Sequence, residues 1–170
     1  IGNPNLDTEN SWSFETGADA FIAKSLKASV SLFYRDQDNV IDFVTTPYID
    51  MPRKDNLVAG GIYALAKNIK RVKTSGVELE LIYQKAFSND QQLFINAGVT
   101  LLKSESSDSV PSFYIISHAR SLVQTNIIYT SKKWSISGNF IYKKRGSQNA
   151  TAINASLSKT YFLCNAKINY

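Results

Sequence analysis

Between residues 11 and 23 the chain puts Trp12, Phe14, Ala18, Ala20 and Ile22 on one parity and Ser13, Glu15, Gly17 and Asp19 on the other. The same rhythm returns with Leu26, Ala28, Val30, Leu32 and Tyr34 against Lys27, Ser29, Ser31 and Arg35. Successive side chains of a strand point to opposite faces. Each stretch therefore reads as a strand with one apolar face and one mixed polar face. The alternations persist for about 11–14 residues, whereas strands of soluble domains usually span about 5–6. A tilted strand crossing a bilayer needs roughly 9–11. Strand length thus points first to a membrane β-barrel.

The expected fold is all-β: an antiparallel up-and-down meander of about seven long strands, forming a section of a transmembrane barrel. The first two strands fall at residues 11–23 and about 26–43, the second interrupted at Asp36, Asp38 and Asn39 before Val40, Ile41, Phe43 and Val44 resume. That interruption reads as a bulge, or as a strand rising into a loop hairpin. A long irregular connection follows over about residues 45–70, where Pro47, Pro52 and Gly60-Gly61 break regular structure, with room for a short strand at 57–66. The third, fourth and fifth strands are expected at 74–83, 93–102 and 116–129. The sixth carries Trp134 to Tyr142, and the seventh carries Phe162, Cys164, Ala166, Ile168 and Tyr170.

Connections near Lys24, Asn89 and Ser131 are short, whereas those from Thr45, Ser104 and Gly146 are longer. A meander collects all short turns at one end, as outer-membrane barrels do on their periplasmic side. Phe21, Tyr83, Phe87, Tyr129 and Trp134 fall near that end, and Trp12, Tyr34, Tyr142 and Tyr161 near the other. Two such bands suit the aromatic girdles at the membrane interfaces.

The formal charge of +5 is concentrated in Lys67, Lys70, Arg71 and Lys73 and in Lys143, Lys144 and Arg145, with Lys132 and Lys133 before them. These read as solvated strand ends, and no nucleic-acid-binding motif accompanies them. No run of about 18 apolar residues supplies a transmembrane helix. Cys164 is the single cysteine and His118 the single histidine, so neither an internal disulfide nor a Cys/His metal site is predicted. Glu78 and Glu80 share a face at a spacing of two, which reads as a polar wall with Lys or Arg partners on adjacent strands. No acid, base and nucleophile converge, so neither an enzyme nor a cofactor is expected. The first residues carry no basic n-region and no apolar h-region, and Asn3-Pro4-Asn5-Leu6 is already loop-like, as if the chain were entered part-way.

The stretch Asn3-Pro4-Asn5-Leu6-Asp7-Thr8-Glu9-Asn10-Ser11, followed by Glu15-Thr16-Gly17, resembles the "NPxLxPExS…xExG" passage of TonB-dependent outer-membrane receptors, with Thr8 where the family usually has Pro. Phe33-Tyr34-Arg35-Asp36 followed by Val40-Ile41 resembles the family's next strand and loop. Thr74-Ser75-Gly76-Val77-Glu78-Leu79-Glu80 is similar to its "xxGxExE" strand. Ala150-Thr151-Ala152-Ile153-Asn154-Ala155 and Ser158-Lys159-Thr160-Tyr161-Phe162 resemble a late-barrel segment of Bacteroidetes members. The resemblance implies that residues 1–170 are part of one C-terminal barrel domain in the outer membrane of a Gram-negative bacterium. Signal peptide, plug and final strands would lie elsewhere.

The resemblance, nearest to vitamin B12- and siderophore-type members, implies active uptake of a scarce nutrient such as cobalamin or an iron–siderophore. The partners it implies are outer-membrane lipid, the rest of the barrel and its plug, the TonB energy-coupling complex through the plug side, and the small nutrient. Loops on a rigid scaffold carry binding, and the candidate contact residues are Tyr48, Asp50, Arg53, Tyr63, Tyr114 and Arg145. Two other readings remain open on the residues alone. One is a small soluble lipid-binding barrel, because alternation does not say which face points inward. The other is a structural or adhesive outer-membrane barrel without transport.

Overall fold

The computed structural model describes residues 2–107, 118–146, 148–150 and 155–170. Six strands follow one another as β1 (Asn10–Ala23), β2 (Leu26–Pro47), β3 (Ile62–Ser88), β4 (Gln91–Ser106), β5 (Ala119–Ser131) and β6 (Trp134–Arg145). Two three-residue strands, β7 (Gln148–Ala150) and β8 (Ala155–Leu157), form their own antiparallel ladder before β9 (Thr160–Asn169). The main sheet has seven strands in the order β1-β2-β3-β4-β5-β6-β9, the antiparallel meander expected from the alternation.

Three strands outrun their sequence patterns. β2 continues to Pro47 through Asn39, whose φ of 56° marks a local break in the extended backbone. β3 begins at Ile62, so the irregular connection ends at Gly61 rather than near Lys70. One strand of 27 residues takes in 74–83 and only residues 62–66 of the short strand expected at 57–66, whose first part belongs to the loop. After Gly60-Gly61 no breaker interrupts the chain. A buried Val72 between the exposed Arg71 and Lys73 is an ordinary strand alternation that charge density obscures. β4 likewise runs to Ser106. The expected start of the fifth strand at Ile116 and most of the 150–155 segment lie outside the described residues.

The chain forms two compact units, and β1, β2, β3 and β4 each contribute to both. The first comprises Ile1–Phe14, Tyr34–Thr74 and Ser104–His118. Its buried core is Val40, Ile69 and Val72, joined by Val44, Met51, Leu65 and Ala66. Beyond Asn39 the alternation in β2 is strict, with Val40, Asp42, Val44 and Thr46 buried and Ile41, Phe43 and Thr45 exposed.

The opening segment is tied to this unit by hydrogen bonds. Asn3 Nδ2 donates to the Ala66 carbonyl (3.1 Å), and Asn68 Oδ1 accepts from the Asp7 N–H (2.8 Å). Asn68 Nδ2 donates to the carbonyls of Asp7 and Asn39, and the Glu9 carboxylate accepts from the Ile41 N–H. The side chains of Asn3, Glu9 and Asn68 thus satisfy backbone groups that an isolated strand edge would leave open.

The second unit comprises Glu15–Phe33, Ser75–Lys103 and Ala119–Tyr170. Its register aligns the apolar parity of four successive strands into rows. Leu93, Tyr129, Ile136 and Ile168 form one row, and Ile95, Ile127, Gly138 and Ala166 the next. Ala97, Thr125, Phe140 and Cys164 follow, and then Val99, Val123, Tyr142 and Phe162. On the opposite face Asn96, Asn126, Asn139 and Asn165 stand level with one another. The apolar rows are not covered by protein, and Phe162 and Ile168 remain 65% and 64% exposed. Cys164 is an exposed member of the third row.

Gly76 fits this sheet because it has no side chain. A Cβ there would come within 2.3 Å of the Phe33 ring and 2.7 Å of the Leu101 carbonyl oxygen, so Phe33 lies across the glycine.

Candidate functional site

The loop that joins β2 to β3 is closed by backbone hydrogen bonding. A 3-10 turn, Tyr48–Asp50, follows Pro47, and the Tyr48 N–H donates to the Gly61 carbonyl at 2.9 Å. Lys54 Nζ sits 5.4 Å from the centre of the Tyr48 ring, a cation–π distance. Asp50 and Arg53 are exposed on the same loop, and Met51 between them anchors it in the core. Tyr63 serves the loop itself: its hydroxyl accepts from the Val58 N–H (2.6 Å) and donates to the Val58 carbonyl (3.1 Å).

Tyr48, Asp50 and Arg53 stand on one loop of the first unit, and Tyr63, the second residue of β3, borders it. Arg145 belongs to the second unit. There its Nε donates to the Ser158 carbonyl (3.2 Å) and its N–H to the Lys159 carbonyl (2.8 Å), clamping the link between β6 and β9. Tyr114 lies outside the described residues.

Residue-type reasoning missed the ion pair at the base of this region. Asp36, 3% exposed, accepts from Arg71 Nε (2.7 Å) and Arg71 Nη2 (2.6 Å) in a two-point fork, and the Tyr34 hydroxyl donates to it at 3.4 Å. Arg71 also lies 3.7 Å from Asp38. The Arg71 hydrogen bonds hold the Asp36 carboxyl below the usual carboxylate range against the opposing effect of desolvation. One member of the basic run at residues 67–73 is therefore a structural counter-ion. The only sequence signal was Asp36 interrupting an apolar alternation. His118 is partly buried beside this unit's β4 segment, its Nδ1 2.8 Å from Ser104 Oγ, whose oxygen is 3.0 Å from Thr74 Oγ1. These three side chains form a hydroxyl–imidazole cluster.

The second unit has a concavity of about 560 Å³ on its polar face. Its lining includes Glu15, Asp19, Glu78, Glu80, Ser31 and Gln124. Each carboxylate meets a nearby donor. Ser31 donates to Glu15 (2.7 Å), Lys27 pairs with Asp19 (2.8 Å) and Asn96 Nδ2 donates to Glu80 (2.7 Å). The Thr100 hydroxyl stands 3.5 Å from Glu78. The expected Lys or Arg partners of Glu78 and Glu80 are thus an amide and a hydroxyl. Neutral neighbours suffice because this face is open to water and the charges need no full compensation. Among the described residues no group of three or more His, Cys, Asp and Glu has the arrangement to hold a metal ion.

Long antiparallel strands, an uncovered apolar face in registered rows and a polar opposite face define the wall of a transmembrane β-barrel. The sequence matches the TonB dependent receptor-like, beta-barrel family over residues 1–170, and the chain belongs to that family. This sets aside the small soluble lipid-binding barrel.

No curated protein matches the chain. Among solved structures it is similar to the pyoverdine outer membrane receptor FpvA of Pseudomonas aeruginosa PAO1 bound to pyoverdine. That match has 17% identity and a TM-score of 0.60, and covers 96% of this chain and 23% of that one. It is similar also to the receptor in the FpvAI–pyocin S2 complex, at 16% identity and a TM-score of 0.60, covering 96% of this chain and 22% of that one. The chain thus spans less than a quarter of the structures it matches, and at these identities the likeness concerns the fold.

Proposed function

We propose that these residues are part of the single barrel domain of a TonB-dependent receptor that imports an iron–siderophore across the outer membrane of a Gram-negative bacterium. The observation that carries this reading is the family match along the whole chain. The similarity to a pyoverdine receptor favours an iron chelate over cobalamin as the cargo. Plug and TonB complex are its partners in this reading, and the exposed Asp50, Arg53 and partly buried Tyr48 of the β2–β3 loop meet the substrate at the long-loop end. An acid, a base and an aromatic ring suit a chelate that carries carboxylates, amides and catechol or hydroxamate groups. Tyr63 and Arg145 support the loops, and Tyr114 joins the substrate-contacting group.

The test uses the full-length receptor in its host. Deleting its gene is expected to abolish uptake of one labelled ferric siderophore under iron limitation, and removing TonB is expected to have the same effect. Replacing Arg53 and Asp50 by Ala together is expected to raise the apparent uptake constant about tenfold, the loss of roughly one charge-assisted contact. Uptake of labelled cobalamin that depends on the gene would overturn the siderophore assignment. A receptor recovered in the outer membrane with no TonB-dependent uptake would favour the structural barrel.

A further inference from the structure

We infer that the short-turn rim of the wall is a docking surface for anionic glycerophospholipid, with Lys85, Lys132 and Lys133 receiving the headgroup phosphate. The inference rests on the outer-membrane reading above and adds to it a lipid class and the residues that select it.

The lysines are placed by three separate features. At the foot of β3, Lys85 continues the apolar parity of Val77, Leu79, Leu81 and Tyr83, and its Nζ lies 5.3 Å from the ring centre of Phe87, the next residue of that face. At the foot of β6 and β9 the rings of Trp134 and Tyr170 are 4.7 Å apart, and Lys133 Nζ stands 5.9 Å from the centre of Tyr170. Both ammonium groups are thus held against aromatic faces on the lipid side, where a long side chain keeps its stem in apolar surroundings and its charge at the interface.

The third feature is Lys132. Its φ of 53° lies in the left-handed region, which Gly or Asn occupies with less strain. Its N–H donates to the Asp90 carbonyl at 2.8 Å, which links the β5–β6 turn to the β3–β4 turn. A lysine at a position that suits glycine breaks a local rule, and such positions collect at functional sites.

The charge of this rim is one-sided. Lys24 adds a further exposed cation at the β1–β2 turn, and Asp19, the nearest acid on β1, is already paired with Lys27. Asp90 is the acid among the turns themselves. A ligand that meets these lysines must also suit the uncovered Leu93–Tyr129–Ile136–Ile168 row directly above them. Acyl chains under a phosphate meet both requirements, and free phosphate meets one. Short turns mark the periplasmic end of such barrels, so the lipid is in the periplasmic leaflet.

The experiment exchanges the intact receptor into mixed micelles of phosphatidylglycerol and phosphatidylethanolamine at equal mole fraction and counts co-purifying lipid by native mass spectrometry. Phosphatidylglycerol is expected to be enriched on the order of a hundredfold by the three lysines together, with the enrichment falling as salt rises. Each basic residue near a charged lipid surface contributes about 1 kcal/mol. Lys85→Gln and Lys133→Gln are therefore each expected to lower the enrichment about fivefold, and Lys103→Gln at the opposite end of β4 to leave it unchanged. Lys132→Gly is expected to lower the enrichment while raising thermal stability, a combination that a purely structural turn residue would not produce. Inorganic phosphate at millimolar concentration is expected not to compete.

Equal retention of the two lipids by a folded receptor, or enrichment unmoved by all three lysine substitutions, would overturn the inference alone. A protein absent from the outer-membrane fraction, with no heat-modifiable mobility, would overturn both the barrel reading and this inference.

Discussion

Two parts of this chain treat apolar side chains in opposite ways. In the unit containing Tyr34–Thr74, Val40, Ile69 and Val72 are covered by protein, with exposures of 2%, 3% and 0%. In the wall unit Leu79 and Ile136 stand 48% and 49% exposed, and Ile136 lies between Tyr129 and Ile168 in register. The first unit buries its side chains against its own chain, so its stability is that of a small protein core. The second presents a face that only lipid or detergent can cover, so its stability is a property of the chain and its solvent together. A polar substitution is felt in the first as a packing defect and in the second as a solvation defect.

The largest effect that tests this contrast is Ile69→Ala. Truncation of a fully buried aliphatic is expected to destabilise its unit by about 2–5 kcal/mol, by the same amount in any detergent, measured by denaturant unfolding of the intact receptor. Leu79→Ala should cost much less, and an equal cost would erase the distinction. Leu79→Arg sharpens it from the other side: the charge is expected to cost about 2–4 kcal/mol in a bilayer if the site lies at mid-depth. A tolerated arginine in lipid vesicles would mean that this face is not turned to lipid.

Gly76→Ala comes next. The added methyl meets the Phe33 ring and the Leu101 carbonyl, so a loss of about 1–3 kcal/mol from overpacking is expected. Phe33→Ala in the same background should recover part of it. The smallest effect is confined to acid. Asp36 has a lowered pKa in the folded unit, so its ion pair with Arg71 stabilises fully above the unfolded value of about 3.9. That stabilisation fades as pH falls through the folded value. Asp36→Asn is expected to flatten this part of the pH–stability curve of the first unit. An unchanged curve would show that the half-exposed Arg71 contributes little.

How far the fold was legible depended on the signal. Trp12 to Ile22 and Leu26 to Tyr34 alternate with few exceptions (Thr16, Phe21 and Phe33), and those strands stand where the alternation puts them. Residues 62–73 carry the same period in weaker form, because Lys67, Lys70, Arg71 and Lys73 crowd it with charge, and the clear pattern starts at Thr74, twelve residues after β3 does. The loop candidates divided on similar grounds. Tyr48, Asp50 and Arg53 stand on one loop because Pro47 ends β2 and Gly61 closes the turn. Tyr63 has the same residue chemistry, but its hydroxyl is taken by Val58. The Asp36–Arg71 pair spans 35 positions of sequence, and no local pattern announces a contact of that range.

The sequence by itself determined strand length, the parity of each face, the alternation of short and long connections and, through the Asn3–Glu9 and Thr74–Glu80 passages, the family. These are local properties, written in period-two hydrophobicity and turn residues. Only the tertiary structure decided that Leu93, Tyr129, Ile136 and Ile168 stand in one row, that Glu80 rests on Asn96, and which of the basic residues is a counter-ion. Register and pairing bring together residues far apart in the chain. Which ones meet depends on how neighbouring strands align, and a shift of one residue would turn every side chain to the opposite face.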